Sequence, residues 1–247
     1  THNTESYILK KSAISSSLVA FGENFDMDYS AAYINCPLPY PNEVYPQGIQ
    51  LPWQVTVSIN PLRSIDTLRD DEFVTIRYPN VGWDRDDPEK LFAVCVQPLH
   101  HNYDKTIDLI AFIEYYRMMG VDRFTFYRDD VTHKIDSILD YYSRLNVAVI
   151  IDWKLPSWYE FERNLRVDGI YAALNDCLYR SSSYAGYKYV FGVDIDEYIL
   201  PRLHNNFSEM MDYLNPDYPT TKCTGAWIFR NVFYYLMYDD DPVTLSP

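Results

Sequence analysis

The chain has 247 residues, enough for one large domain, or one domain with a smaller companion, around a sizeable core. Hydrophobic residues make up 47% of it, a globular share. Its 35 acidic against 21 basic residues leave a net charge of −14, which argues against nucleic acid or any other polyanion held by phosphate contacts. An anionic small ligand would need a local remedy, such as a bound cation, a helix N-terminus or a few focused Arg and Lys side chains.

Residues 1–90 carry short β-type runs, Ser17 to Phe21, Gln54 to Ile59 and Phe73 to Tyr78, separated by Pro-rich and Asn-rich turns such as CPLPYPNEVYPQG. They predict a small β-rich N-terminal module that ends in the linker VGWDRDDPEK. No run approaches the roughly 20 apolar residues of a membrane span, so a membrane anchor, if there is one, is expected outside this chain.

From Leu91 the texture changes to strands alternating with helices, and residues 91–247 read as a second domain. LFAVCVQ has strand length and is followed, after PLHHNYD, by a helix whose Leu109, Phe112, Ile113 and Tyr116 fall at i, i+3, i+4 and i+7. Gly120 is its expected C-terminal stop. DRFTFY is a second strand, and Ile135, Ile138, Leu139 and Tyr142 give the next helix its stripe. VAVIID is a third strand. After a loop rich in Trp and Pro, Ile170, Leu174, Cys177 and Leu178 mark another helix before the strand YKYVFGV. Alternation of this kind predicts an α/β fold, a mostly parallel sheet flanked by helices and joined by right-handed crossovers.

In such sheets ligands bind beyond the carboxyl ends of the strands. The residues at those exits are Pro98, His100 and His101; Arg128, Asp129 and Asp130; Asp152 and Trp153; and Asp194, Asp196 and Glu197. In an extended strand Asp194 and Asp196 would share a face, with Cα atoms about 6.5 to 7 Å apart. Two carboxylates so close repel unless a cation or a proton lies between them, and hard oxygen ligands with an incomplete shell suit Mg²⁺ or Mn²⁺. A calcium loop is rejected, because its sixth and twelfth positions counted from Asp194 are Ile199 and Asn205 rather than Gly and Glu. An Asp-x-Asp phosphatase is the competing enzyme, although its motif normally sits on the first strand of the sheet and continues with Thr or Val where Tyr198 stands.

Four cysteines, Cys36, Cys95, Cys177 and Cys223, lack any CxxC spacing, and Cys95 and Cys177 lie in apolar patterns that suit small buried hydrophobes. Asn206, Phe207 and Ser208 form an N-x-S sequon, an acceptor for a glycan only in a secretory lumen.

The blocks FAVCVQPLHHN, IAFIEYYRMMGVDRFTFY, ILDYY, ALNDCLYR and YVFGVDIDEYILPR, in order between about Thr75 and Arg202, together resemble glycosyltransferase family 92. The resemblance implies a GT-A-like, Rossmann-like catalytic domain. It also implies an inverting, metal-dependent enzyme that moves a hexose, galactose by analogy, from a UDP-sugar to a glycan or glycoprotein hydroxyl. By the same resemblance Mn²⁺ (or Mg²⁺) falls to Asp194 and Asp196, with Asp196 the direct ligand, while Pro98, His100, Asp129, Asn175, Asp176 and Asp194 would meet the nucleotide sugar. It further implies a Golgi lumen location, as the lumenal part of a single-pass membrane protein. Trp153, Trp158 and Trp227 are candidate sugar platforms, and Arg163 and Arg166 candidate phosphate partners. Glu197 reads as a helper rather than a base. No His follows His204, and Glu209, Asp212, Asp217 and Asp239 to Asp241 have no motif support as the base, so the catalytic half is expected to continue past Pro247. A lumenal relative that binds glycans or serves as a scaffold, without turnover, is the reading from a different class.

Overall fold

A computed structural model describes residues 17–21, 27–36, 53–57, 67–78, 90–155, 169–216 and 225–234. Trp158, Arg163, Arg166, Asp217, Cys223, Asp239 to Asp241 and most of the expected linker lie outside these residues. Two compact units are formed, Thr1–Glu197 and Tyr198–Pro247.

The first unit opens with two short antiparallel pairs. Strand β1 (Ser17–Ala20) pairs with β2 (Ala32–Asn35), and β3 (Gln54–Val55) pairs with β4 (Val74–Thr75). β2 was not expected from the sequence, because AYIN is only four residues long and shows no clear alternation.

The core of this unit is a four-stranded sheet, all parallel, made of β5 (Phe92–Cys95), β6 (Arg123–Arg128), β7 (Ala148–Asp152) and β8 (Tyr189–Gly192) in the order β7-β6-β5-β8. Every residue of β5 is buried, as a central strand covered on both faces requires. Helix α1 (Thr106–Met118) connects β5 to β6, and α2 (His133–Arg144) connects β6 to β7. The expected stripe of α1 is the buried one: Leu109, Phe112, Ile113 and Tyr116 are all removed from solvent. Full burial of side chains of this size stabilises by about 1.5–3 kcal/mol each. Phe112 meets Phe124 edge-on, and Tyr116 packs against Phe191, so α1 lies on the sheet face that carries Phe92, Val94, Phe124 and Phe191. α2 lies beside α1, and Tyr142 of α2 donates to Glu114 Oε1 at 2.7 Å.

Both helices end in the same way. Gly120 at φ 105° and Asn146 at φ 59° are left-handed residues that let their own amides reach Arg117 and Ser143 carbonyls, while Val121 and Val147 reach Tyr116 and Tyr142. Gly and Asn take this conformation at little cost, which is why each sits there.

After β7 the strand order reverses, because β8 adds on the far side of β5. A right-handed crossover running back must pass over the opposite face. Helix α3 (Ile170–Leu178) does so, with Ala173 and Cys177 packed against Cys95 and Tyr127, and a π-helical turn, Tyr179–Tyr184, leads on to β8. Cys95 and Cys177 are buried as expected, and they also form a disulfide bond across 82 residues. Cys36 is free and exposed.

The expectation that the last strand carries Asp194 and Asp196 in extended conformation is corrected. β8 ends at Gly192, and only the Val193 amide still reaches β5, at Cys95 O (3.3 Å). Beyond Cys95 the β5 segment stays bonded to the β6 side, with the Val96 amide reaching Thr125 O and the Leu99 amide reaching Tyr127 O. Among the described residues no strand pairs with the other edge of β8, so past Gly192 it has no ladder to follow, and the chain turns.

In the second unit, helix α4 (Phe207–Leu214) starts at Asn206, whose side-chain oxygen accepts from the Glu209 amide at 2.9 Å. Phe207, Met210 and Met211 are buried. Residues 225–234 have no regular structure, and Ile228, Val232, Phe233 and Tyr234 are exposed. Among the described residues no helix is long and apolar enough to cross a membrane.

Candidate active site

β6 lies on one side of β5 and β8 on the other, so the strand order reverses at β5. A crevice at such a switch point is where open parallel sheets bind ligands. Two sets of predicted residues lie at the carboxyl ends of these strands.

The loop after β5 is tied to the loop after β6. Leu99 O accepts from both the Asp129 and Asp130 amides, at 3.1 and 3.0 Å, and Asp130 Oδ2 accepts from the Asn102 amide at 2.8 Å. His101 and Asn102 are both left-handed, at φ 56° and 51°. Pro98 is buried, His100 and Asp129 are half-buried, and the His100 ring lies 4.5 Å from that of His101. Pro98, His100 and Asp129 are therefore gathered on adjacent strand ends.

The turn after β8 runs from Asp194 to Glu197. Glu197 donates its amide to Asp194 O, and its carboxylate Oε2 accepts from the Asp194 amide, each at 3.0 Å. The Glu197 side chain is thus spent on closing the turn. From the other side, the wholly buried Tyr116 of α1 donates its hydroxyl to Glu197 O at 3.1 Å. Sequence reading missed this anchor, since Tyr116 was visible only as one more apolar position on a helix stripe.

Burial first, then the charges of Glu197 and Asp196, push the Asp194 carboxyl up to about 6. Its surroundings disfavour negative charge, and among the described residues no Lys, Arg or His forms an ion pair with Asp194 or Asp196. A divalent cation suits such a donor set, because it removes the repulsion and accepts hard oxygen ligands. Among the described residues no group of three or more His, Cys, Asp or Glu side chains converges as a metal cage. Two carboxylates completed by phosphate oxygens and water match how Mg²⁺ and Mn²⁺ are usually held.

Asn175 and Asp176 lie on α3, and both have protein partners. Asn175 accepts from the Tyr33 hydroxyl of β2 and donates to Tyr171 O, so its amide ties α3 to the N-terminal strand pair. Asp176 accepts from the Tyr127 hydroxyl at 2.6 Å and binds Arg180 through two nitrogens. The i, i+4 spacing of Asp176 and Arg180 was a readable signal for that pair. Burial and the Asp176 carboxylate hold the Tyr127 hydroxyl protonated far beyond its usual range. Trp153 meets Tyr127 edge-on and packs against the disulfide cluster, so part of its ring is structural. Glu209 accepts from the Asn205 amide and side chain, which lower its carboxyl, a poor setting for a general base.

The profile of glycosyltransferase family 92 matches residues 90–243, well over half of the chain and all of the parallel sheet. No curated protein matches the chain significantly.

Proposed function

The chain belongs to glycosyltransferase family 92, and on that premise we propose that it moves a hexose, galactose by resemblance, from a UDP-sugar to a glycan hydroxyl with inversion at the sugar. Family membership makes it a transferase with a sugar donor and a glycan acceptor; the donor, the metal and the stereochemistry are our reading. The observation that carries it is the acidic turn Asp194–Glu197, which follows β8 beside the end of β5 and whose aspartates form no ion pair with any described residue.

In this reading Mn²⁺ or Mg²⁺ is held by Asp196, with Asp194 as its partner, and when bound it offsets the charge that builds on the departing diphosphate. The protein's own part is to position. Glu197 and Tyr116 fix the turn from two sides, so the carboxylates need little rearrangement on binding. The loops at Pro98, His100 and Asp129 lie at the neighbouring strand ends, the setting we propose for the nucleotide. Asn175 and Asp176 are retained as donor-site candidates that act through the position of α3. A Golgi lumen location fits the buried Cys95–Cys177 bond, which an oxidising compartment supports.

Calorimetry with UDP, with and without Mn²⁺, tests this reading. Binding is expected to need the metal and to be lost in Asp196→Ala. Nucleotide binding indifferent to both would sink it. Metal-dependent UDP binding without transfer to any glycan would favour the non-catalytic relative.

A further inference from the structure

Asn206, Phe207 and Ser208 make up the chain's one N-x-S/T triplet, and the transferase reading has no use for it. We propose that Asn206 carries an N-linked glycan. Three features of the fold suit the modification. First, Asn206 is the residue before α4 and its Oδ1 is the capping atom, accepting from the Glu209 amide at 2.9 Å. A glycan attaches to Nδ2, so the cap survives. Second, the nearest partner of Nδ2 is the exposed Glu209 Oε1 at 3.4 Å, and one amide hydrogen remains for it after substitution. Third, Phe207 is wholly buried and pins the helix start, while Arg202, Leu203 and Asn205 just before it are exposed. Leu203, with 83% of its surface in water, is an apolar side chain that a sugar core three residues on would shield.

An independent observation supplies the compartment. The Cys95–Cys177 bond is buried in the core between β5 and α3, and disulfides of this kind form in the oxidising lumen where the oligosaccharide donor is also present. In the modification step Nδ2 attacks C1 of an oligosaccharide linked to a lipid diphosphate. The N–C1 bond forms, the C1–O bond to phosphate breaks with its electron pair leaving on the lipid diphosphate, and Nδ2 loses one proton. No oxidant or reductant is needed. The proposal rests on the secretory route and stands whether or not the chain transfers sugar.

The test is the whole chain sent into the secretory lumen of a eukaryotic cell by a cleavable leader. One glycoform step is expected that peptide-N-glycosidase removes, converting Asn206 to Asp in the mass-mapped peptide. The step should vanish in Asn206→Gln and Ser208→Ala and persist in Ser208→Thr. Ser208→Ala leaves the cap intact, so loss of glycan there separates the sequon from any folding defect. A non-reducing peptide map of the same sample reports the Cys95–Cys177 pair. Secreted protein with Asn206 unmodified overturns the proposal, whatever the state of the cysteines.

Discussion

Two strand ends of the same sheet carry aspartates of opposite character. At the end of β7, Asp152 faces Arg128 of β6 in register, accepts from its Nη2 at 2.6 Å and its Nε at 3.0 Å, and is held below the usual carboxylate range by that guanidinium. Arg128 also binds Asp136 in the first turn of α2 at 3.1 Å, so three elements meet in one compensated corner. At the end of β8, Asp194 sits among carboxylates, half-buried, and is pushed up. A charge neutralised by the fold is architecture, while one left unneutralised costs stability and is tolerated where a ligand will supply the missing sign.

The comparison breaks if the two corners respond alike to substitution. Asp196→Ala should lower metal-dependent transfer or donor hydrolysis by at least about 100-fold, the loss expected when a site no longer offsets leaving-group charge. Asp152→Asn should stay within about threefold. Steady-state rates at saturating Mn²⁺, on variants with unchanged circular dichroism, decide it.

The next largest effect concerns what keeps the β5 end in place. The Cys95–Cys177 bond closes an 82-residue loop and joins the end of β5 to α3. Chain entropy alone makes such a cross-link worth about 4 kcal/mol. A Cys95→Ala/Cys177→Ala protein should unfold at clearly lower urea, with a midpoint shift of more than about 1 M for a usual slope. The Arg128 corner cannot substitute, since it ties β6 to β7 and α2 rather than to α3.

Most of the parallel-sheet unit was readable because its signals are local. The α1 stripe, the Gly120 stop and the strands DRFTFY and VAVIID depend on residues a few positions apart, and their elements formed where the period placed them. What escaped depends on pairs distant in sequence. Asp152 stands at a strand exit in the sequence, but its bond to Arg128 follows from the register of two strands. An apolar run predicts an extended Asp194 and Asp196 because it gives no sign of where its partner stops pairing, and the last bond from this segment to β5 comes from the Val193 amide. Cys95 and Cys177 read as two apolar positions, and only the reversed crossover brings them together.

Tyr116→Phe probes the anchored turn more finely. It keeps the ring that packs against Phe191 and removes the hydroxyl that donates to Glu197 O. A hydrogen bond of this kind contributes about 1 kcal/mol, so donor affinity in the presence of metal should weaken by about fivefold. If Tyr116 serves only the core, unfolding will shift and affinity will not.

The smallest effects carry the contrast in sign. In metal-free protein, Asp194→Asn removes a charge disfavoured by burial, Glu197 and Asp196, and should raise the melting temperature slightly. Asp152→Asn removes a favourable charge and should lower it slightly, by little because Asp152 is exposed and screened by water. The two variants also separate on acidification. A carboxyl whose folded value lies below the ordinary 3.8 contributes stability that is full above that value and lost as pH falls through the lower one. Wild type should therefore exceed Asp152→Asn at neutral pH and converge with it only as pH falls below 3.8 and through the lowered folded value. Melting curves for the pair over that range would contradict the assignment if the gap persisted in acid, because the Arg128 corner would then be held by something other than the Asp152 charge.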